Sequence, residues 1–230
     1  MSIAQLPEST CRLLKSTTVV ISPLSLVKEL VDNAIDANAA NIEIGISANT
    51  VDNIQVRDNG HGINPEDYHA IGRRSHTSKL RTFEELQFKG GKTLGFRGDA
   101  LASMNTCSKL TITTRTSQDE VAASLELKKD VGGIADKRLA PGPVGTTVHV
   151  SDLFAGVPVR RQLAIKESKK SHGQIKELLQ TYAVTRPHIK LSLKVLKNHK
   201  LSWSYAPGPG AHVREAVLQV FGSDLVSQCV

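Results

Sequence analysis

The sequence predicts an α/β sandwich in which a mixed, mostly antiparallel sheet carries helices on one face. Apolar residues at helical spacing predict a helix over residues 22–39. Alternating apolar and polar residues over 41–46 and 54–58 predict the two strands of a hairpin. A chain of 230 residues is long enough for one large domain or two small ones.

The composition is that of a globular protein, with 40% hydrophobic and 22% charged residues. No apolar run approaches the roughly 20 residues that span a bilayer, and the first residues do not form a secretory signal. The three cysteines are far apart, without the spacing of a metal site or a disulfide framework. A reducing compartment, cytosol or nucleus, is expected.

The predicted helix at 22–39 carries a polar face as well as an apolar stripe. Ser22 is a good N-cap and Pro23 suits the first helical position. Glu29, Asn33 and Asp36 follow at spacings of four and three, which place them on one side of the helix. A carboxylate there can take a proton from water, and an amide oxygen one turn later can ligate magnesium. A solvated polar face is the alternative interpretation.

The segments around this helix are predicted from local patterns. A short helix is expected after Pro7, and the β-prone residues 17–21 are expected to be extended. Further strands are predicted at 109–116, 122–127 and 146–154, and a basic helix at about 171–184. Segments 189–195 and 200–204 predict a second hairpin, followed by a break at 207–210 and a helix at 212–221.

Residues 58–63, with the sequence DNGHGI, directly follow a predicted strand. Asp58 can accept a hydrogen bond from an exocyclic amine such as that of adenine. Gly60 and Gly62 allow the backbone to approach a ligand closely. An ordinary turn is the alternative.

The long segment 64–98 is rich in glycine, hydroxyl and cationic residues, which favours a lid over an anion. It leads into a predicted helix at 99–104, whose first backbone N–H groups would form a phosphate site. No Walker motif occurs in the chain. The candidate anion-binding residues are Thr77, Ser78, Lys79, Gly95, Phe96, Arg97, Gly98, Asp99, Ala100 and Leu101.

The net charge of +7 is confined to the last third of the chain, where residues 151–230 have 12 Lys and Arg against 5 Asp and Glu. A local basic surface is typical of nucleic-acid binding through phosphates, although solvated lysines are the commoner explanation. The candidate DNA contacts are Arg160, Arg161, Lys169 and Lys170.

Four motifs stand in one order: ExxxN on a helix, DNGxGI after a strand, TSK followed by GFRGDAL, and GTTV on a late strand. Together they resemble the ATPase domain of the MutL family of DNA mismatch-repair proteins. That family belongs to the superfamily of DNA gyrase B, Hsp90 and histidine kinases, which has the Bergerat-type ATP-binding fold. The resemblance covers residues 10–205, and the opening QLPESTCRLLK is similar to the eukaryotic post-meiotic-segregation branch, particularly its fungal members.

The resemblance implies roles for the candidate residues. Glu29 would be the general base, Asn33 the Mg²⁺ ligand and Asp58 the acceptor for adenine, with Gly60 and Gly62 shaping that wall. Thr146 would support the adenine end. Thr77, Ser78 and Lys79 would lie on the lid near the phosphates, and the backbone amides from Gly95 to Leu101 would hold the triphosphate of ATP. Asp99 departs from the family, which usually has Glu at this position.

The resemblance also implies a domain plan and partners. Residues 1–206 would be the ATPase domain, and residues 207–230 the truncated start of a ribosomal-S5-like domain. A lysine of that second domain would reach the γ-phosphate, so slow hydrolysis is expected from these 230 residues. The expected partners are non-specific DNA and another MutL-family subunit, and the expected location is the nucleus.

Two alternatives stay open at this point. The chain could be another ATPase of the superfamily, of the chaperone or kinase type, although TSK and GFRGDAL count against that. It could also be a non-enzymatic DNA-binding module that uses only its basic last third. Protection from proteolysis by ATP separates the last alternative from the ATPases.

Overall fold

The computed structural model describes residues 5–76, 94 and 98–223. The first half contains helices α1 (Glu8–Val19), α2 (Pro23–Asp36) and α3 (Ala100–Cys107), and strands β1 (Asn41–Ile46), β2 (Asn53–Asp58) and β3 (Lys109–Arg115). The second half contains β4 (Ala122–Leu127), β5 (Ile134–Ala140), β6 (Gly145–Ser151), α4 (Pro158–Lys166), α5 (Ser168–Thr185), β7 (Lys190–Val195), β8 (Trp203–Tyr205) and α6 (Val213–Phe221). Short 3₁₀ helices lie at Pro65–Ala70 and His199–Leu201.

The strands form one eight-stranded sheet in the order β5-β4-β3-β6-β2-β1-β7-β8. Among the described strands, β1 and β7 run parallel and every other neighbouring pair is antiparallel. The central strands alternate, so that Ile42, Ile44 and Ile46 of β1 are buried while Glu43 is exposed. One face of the sheet is therefore covered by helices, as the sequence predicts for an α/β sandwich.

Helix α2 packs its apolar stripe against this face. Leu26, Val27 and Val31 have no exposed surface. The Ser22 hydroxyl accepts from the Ser25 N–H at 3.2 Å, and the Ser25 hydroxyl accepts from the Ser22 N–H at 3.0 Å, which forms a reciprocal cap. The helix ends before Asn38, which has a left-handed φ of 58°. The predicted cap, stripe and end are confirmed.

One local prediction is wrong, and two elements were not predicted. Residues 17–19 finish α1 instead of forming a strand, because the hydroxyls of Thr17 and Thr18 donate to carbonyls three residues earlier. Pro158 begins a helix, α4, which the sequence analysis missed, and α5 then begins at Ser168. Strand β5 was also missed, because an edge strand with mostly exposed residues has no clear alternation.

Helix α6 has a packing partner within the described chain. It lies against α5, its Ala216 is completely buried, and Gln219 donates to the carbonyl oxygen of Ala206 at 3.2 Å. The predicted helix is therefore confirmed, and it is packed onto the preceding chain. The division at residue 206 stays a prediction. None of the described helices is long and apolar enough to cross a membrane.

His172 of α5 is a buried titratable group, with only 4% of its surface exposed. Neither ring nitrogen makes a hydrogen bond of normal geometry within the described residues, although the backbone of Ser47 lies nearby. Burial lowers the pKa of His172 below its ordinary value, because the charged imidazolium loses its hydration, and the Ser47 backbone opposes that change only in part. As the pH falls through 6.5, the unfolded chain takes up a proton that the folded protein resists, so stability declines until the lowered pKa is reached.

We expect the protein to lose more free energy of unfolding between pH 7.5 and pH 5.5 than the His172→Leu variant does. Urea unfolding of both proteins at the two pH values measures the difference. Equal losses in both would show that the charge of His172 does not contribute to acid sensitivity.

Candidate functional site

Asp58 ends strand β2 and joins three segments of the chain. Its Oδ1 accepts from the N–H of Gly60 at 2.8 Å and from the N–H of Thr146, in β6, at 3.2 Å. Burial raises the pKa of Asp58, while the two N–H donors and the charge of His61 oppose that rise. Within the described residues Oδ2 has no hydrogen-bond partner, so it is available to accept from a ligand.

The glycines near Asp58 are required by the closeness of other backbone segments. A Cβ at Gly145 would lie 2.2 Å from the carbonyl oxygen of Asp58, and φ there is +128°. A Cβ at Gly60 would lie 2.7 Å from the carbonyl oxygen of Ala37, at the end of α2. In this structure the close neighbour of Gly60 is the end of α2, and the predicted approach to a ligand stays a prediction. Gly62, with φ +75°, similarly lies against the carbonyl oxygen of Arg115.

Thr114 of β3 completes this side of the site, and the sequence analysis missed it. Its hydroxyl lies 3.2 Å from that of Thr146, its partner in the β3–β6 pair, and accepts from the N–H of Ile63 at 2.9 Å. The loop after Asp58 is thus attached to both strands. No local pattern marks Thr114, because its role depends on strand pairing.

Helix α2, whose end adjoins Gly60, carries the polar face that the sequence predicts. Glu29, Asn33 and Asp36 are half-buried. The carboxylate of Asp36 accepts from the N–H of Leu94 at 2.9 Å. Within the described residues, Glu29 makes no hydrogen bond or ion pair. Its carboxylate is therefore available for proton transfer. A carboxylate held in an ion pair would not be.

Asp32, the residue before Asn33, is buried and was not singled out from the sequence. Its Oδ2 accepts from Lys28 Nζ at 2.5 Å, and its Oδ1 accepts from the hydroxyl of Tyr182 on α5. Burial raises the pKa of Tyr182, and the hydrogen bond to Asp32 and the nearby charges of Asp32, Glu29 and Asp36 raise it further. Tyr182 therefore remains a neutral hydrogen-bond donor.

The start of α3 is fixed by contacts with residues 75 and 76. A Cβ at Gly98, where φ is +65°, would lie 2.4 Å from the carbonyl oxygen of His76. The Asp99 carboxylate accepts from the N–H of Ser75 at 3.2 Å, so the shorter side chain still reaches a partner. Ala100 and Leu101 pack partly against the core. The predicted anion-binding residues Thr77, Ser78, Lys79, Gly95, Phe96 and Arg97 lie outside the described residues.

The end of α3 is held by Lys129, which the sequence analysis also missed. Its Nζ donates to the carbonyl oxygens of Asn105, Thr106 and Ser108 at 2.7 to 3.1 Å. These are carbonyls at a helix C-terminus, where a cation is favoured. The start and the end of α3 are both fixed.

A cavity of about 420 Å³ also opens beside Asp58 and Thr146. Its other lining residues include Gln55, Arg57 and Thr147, which alternate with the buried residues of their strands. Most of this cavity is therefore on the sheet face opposite the helices. It is distinct from the space between Asp58 and the polar face of α2.

The four candidate DNA contacts differ in their surroundings. Arg160 donates to the carbonyl oxygen of Thr17 and lies over the ring of Phe154, and Arg161 donates to the Leu153 carbonyl oxygen and pairs with Asp52 at 2.6 Å. Lys169 and Lys170 are exposed on α5. DNA contact stays a prediction for all four residues, and the geometry favours the lysines.

Residues 21–146 match the family model described as histidine kinase-, DNA gyrase B-, and HSP90-like ATPase. The chain belongs to this family of ATPases, whose fold is the α/β sandwich described above. Its similarity within the family is to MutL. The chain is 38% identical, over 209 residues, to the DNA mismatch repair protein MutL of Xanthomonas axonopodis pv. citri (strain 306), covering 90% of this chain and 32% of that protein.

Other comparisons agree. The chain is 37% identical over 232 residues to MutL of Xylella fastidiosa (strain M23), covering all of this chain and 36% of that protein. A crystal structure of the N-terminal domain of a DNA repair protein matches with a TM-score of 0.79 and 35% identity, covering 95% of this chain and 63% of that one. The Aquifex aeolicus MutL ATPase domain complexed with ADP matches with a TM-score of 0.65 and 29% identity, covering 88% and 69%. The chain spans about a third of the length of these curated relatives.

The site fits an adenine nucleotide. Asp58 offers an oriented acceptor, and the opposing helix offers Glu29 for proton transfer. The described residues contain no group of three His, Cys, Asp or Glu side chains that would hold a metal alone. Mg²⁺ commonly binds through one or two protein oxygens together with phosphates and water, and an amide oxygen is such a ligand. Asn33 would be the protein ligand.

Proposed function

We propose that this chain is the N-terminal ATPase domain of a MutL-type DNA mismatch-repair or meiotic recombination protein. ATP binding would promote association of two N-terminal domains and closure around DNA. The surroundings of Asp58 and Glu29 carry the proposal, because the first carboxylate is oriented by two backbone N–H groups and the second is half-buried with no hydrogen bond or ion pair within the described residues. The similarity to MutL proteins supports it.

The chemistry divides between the sheet and α2. Asp58 accepts from the adenine amine, and Thr146 supports that end of the nucleotide through its N–H and hydroxyl. The first N–H groups of α3 face the phosphates. Glu29 takes the proton of the attacking water. Bound at Asn33, Mg²⁺ would supply charge neutralisation for the phosphates.

The branch, partners and location are further parts of the proposal. The motif at the N-terminus favours a eukaryotic post-meiotic-segregation type, with another MutL-family subunit as partner and a nuclear location. The relatives compared above are bacterial, so this branch rests on the sequence motif alone.

Asp58→Asn is expected to weaken ATP binding by about 10- to 100-fold, because a buried hydrogen bond is replaced by two donors that face each other. The amide can keep Oδ1 toward Gly60 and Thr146, so its NH₂ group then meets the donor amine of adenine. Titration with a non-hydrolysable ATP analogue measures the effect, with exposed Asp67→Asn as the matched control. Unchanged affinity in Asp58→Asn would refute the adenine assignment.

Glu29→Ala is expected to bind ATP normally and to hydrolyse it about 10²- to 10⁴-fold more slowly, the usual contribution of a general base. Binding persists because the adenine contacts are on the sheet. Single-turnover measurements keep slow hydrolysis visible, and the exposed Glu177→Ala on α5 is the control. A normal rate in Glu29→Ala would exclude Glu29 as the base.

DNA binding is expected to be independent of sequence and to weaken steeply with salt, because phosphate contacts release counterions. Lys169→Glu/Lys170→Glu should flatten the dependence of log affinity on log salt by about two units of slope. The exposed pair Lys15 and Lys128, outside the basic last third, provides a control with the same charge change. If both double substitutions flatten the salt dependence equally, the cause is the net charge of the protein, and α5 does not form a defined DNA-binding surface.

A further inference from the structure

Asp32 is a buried carboxylate on the same helix as the candidate base Glu29. Only 2% of its surface is exposed, yet it lies one turn from Glu29 on α2. Side chains three residues apart are neighbours on a helix surface. The charge of Asp32 is therefore close to the candidate site and shielded from water.

Two donors offset this buried charge. Lys28 pairs with Oδ2 at 2.5 Å, but half of the Lys28 side chain is exposed, so water screens this ion pair. Tyr182 donates to Oδ1 from a half-buried position on α5, 150 residues away in sequence. A buried carboxylate that loses one donor is strongly disfavoured.

The Tyr182 hydroxyl also connects two helices. Asp32 belongs to α2 and Tyr182 to α5, and the two helices pack against each other. A hydrogen bond at this point restrains the rotation of α2 about its own axis. Because Glu29 is on the same helix, that rotation sets the direction of its carboxylate.

We infer that Tyr182 is a positioning residue for ATP hydrolysis, whose hydrogen bond to Asp32 fixes the direction of Glu29 and offsets the charge of Asp32 beside the bound phosphates. This inference rests on the proposed function. Tyr182 does not contact the water or the nucleotide in this role, and acts through α2. Small displacements of a catalytic group are known to cost up to about a hundredfold in rate.

Tyr182→Phe tests the inference, because it removes only the hydroxyl. We expect single-turnover ATP hydrolysis to slow by about tenfold, while the Kd for a non-hydrolysable ATP analogue changes by less than about threefold. Tyr205→Phe is the matched control. The Tyr205 hydroxyl donates to the carbonyl oxygen of Pro187 at 2.6 Å, and Tyr205 is 1% exposed on β8, away from α2. It should lose a similar amount of thermal stability and keep its hydrolysis rate.

A double-substitution cycle with Asp32→Ala separates positioning through residue 32 from general packing. Alanine removes the acceptor of the Tyr182 hydrogen bond together with the buried charge. Tyr182→Phe in the Asp32→Ala background should therefore slow hydrolysis by less than about threefold relative to Asp32→Ala alone. A full tenfold loss in that background would overturn the link through Asp32.

The remaining outcomes are distinguishable. If Glu29→Ala abolishes hydrolysis and Tyr182→Phe behaves like Tyr205→Phe, the inference is wrong and the proposed function stands. If hydrolysis by the unaltered chain does not depend on Glu29, both are wrong. Should Tyr182→Phe fail to fold, Asp32→Ala removes the other end of the same hydrogen bond and decides, with a slower rate and unchanged affinity as support and an unchanged rate as refutation.

Discussion

The hydrogen bonds that Asp58 accepts from Gly60 and Thr146 are the contacts on which the site depends. They join the end of β2, the loop after it and the start of β6 through one carboxylate oxygen. Because that oxygen is held by two backbone groups, the direction of the other oxygen is fixed by the sheet itself. The β2–β6 register sets the contact, and Gly145 allows the two backbones to approach.

The sequence predicted α2 and the first hairpin correctly, because residues close together in the chain specify both elements. Ser22, Pro23 and the apolar spacing fix the helix, and Asp58 stands directly after a recognisable strand. Thr114 and Tyr182 could not be found in this way, since their partners are 32 and 150 residues away. The β-branched residues after Ser16 misled the prediction in the opposite direction, because helix α1 and its hydroxyl contacts overrode their strand propensity.

The basic last third shows the limit of counting charges. Arg160 and Arg161 contribute to the net charge of the segment, yet both guanidinium groups have protein partners that join α4 to the rest of the fold. Substituting either residue would change packing as well as charge, so a loss of DNA binding in such a variant has two explanations. The exposed lysines of α5 do not have this ambiguity.

Helix α5 connects the two properties proposed for this chain. Lys170 lies in its first turn and Tyr182 twelve residues later, a separation of about 18 Å at 1.5 Å per residue. One rigid element thus carries both the exposed cations and the hydroxyl that holds Asp32 of α2. Because the proposed adenine contacts are on the sheet and the candidate base is on α2, a shift of α5 would alter hydrolysis more than nucleotide affinity. A phosphate backbone bound at the lysines therefore has a physical route to the rate of ATP hydrolysis that does not pass through the nucleotide-binding strands.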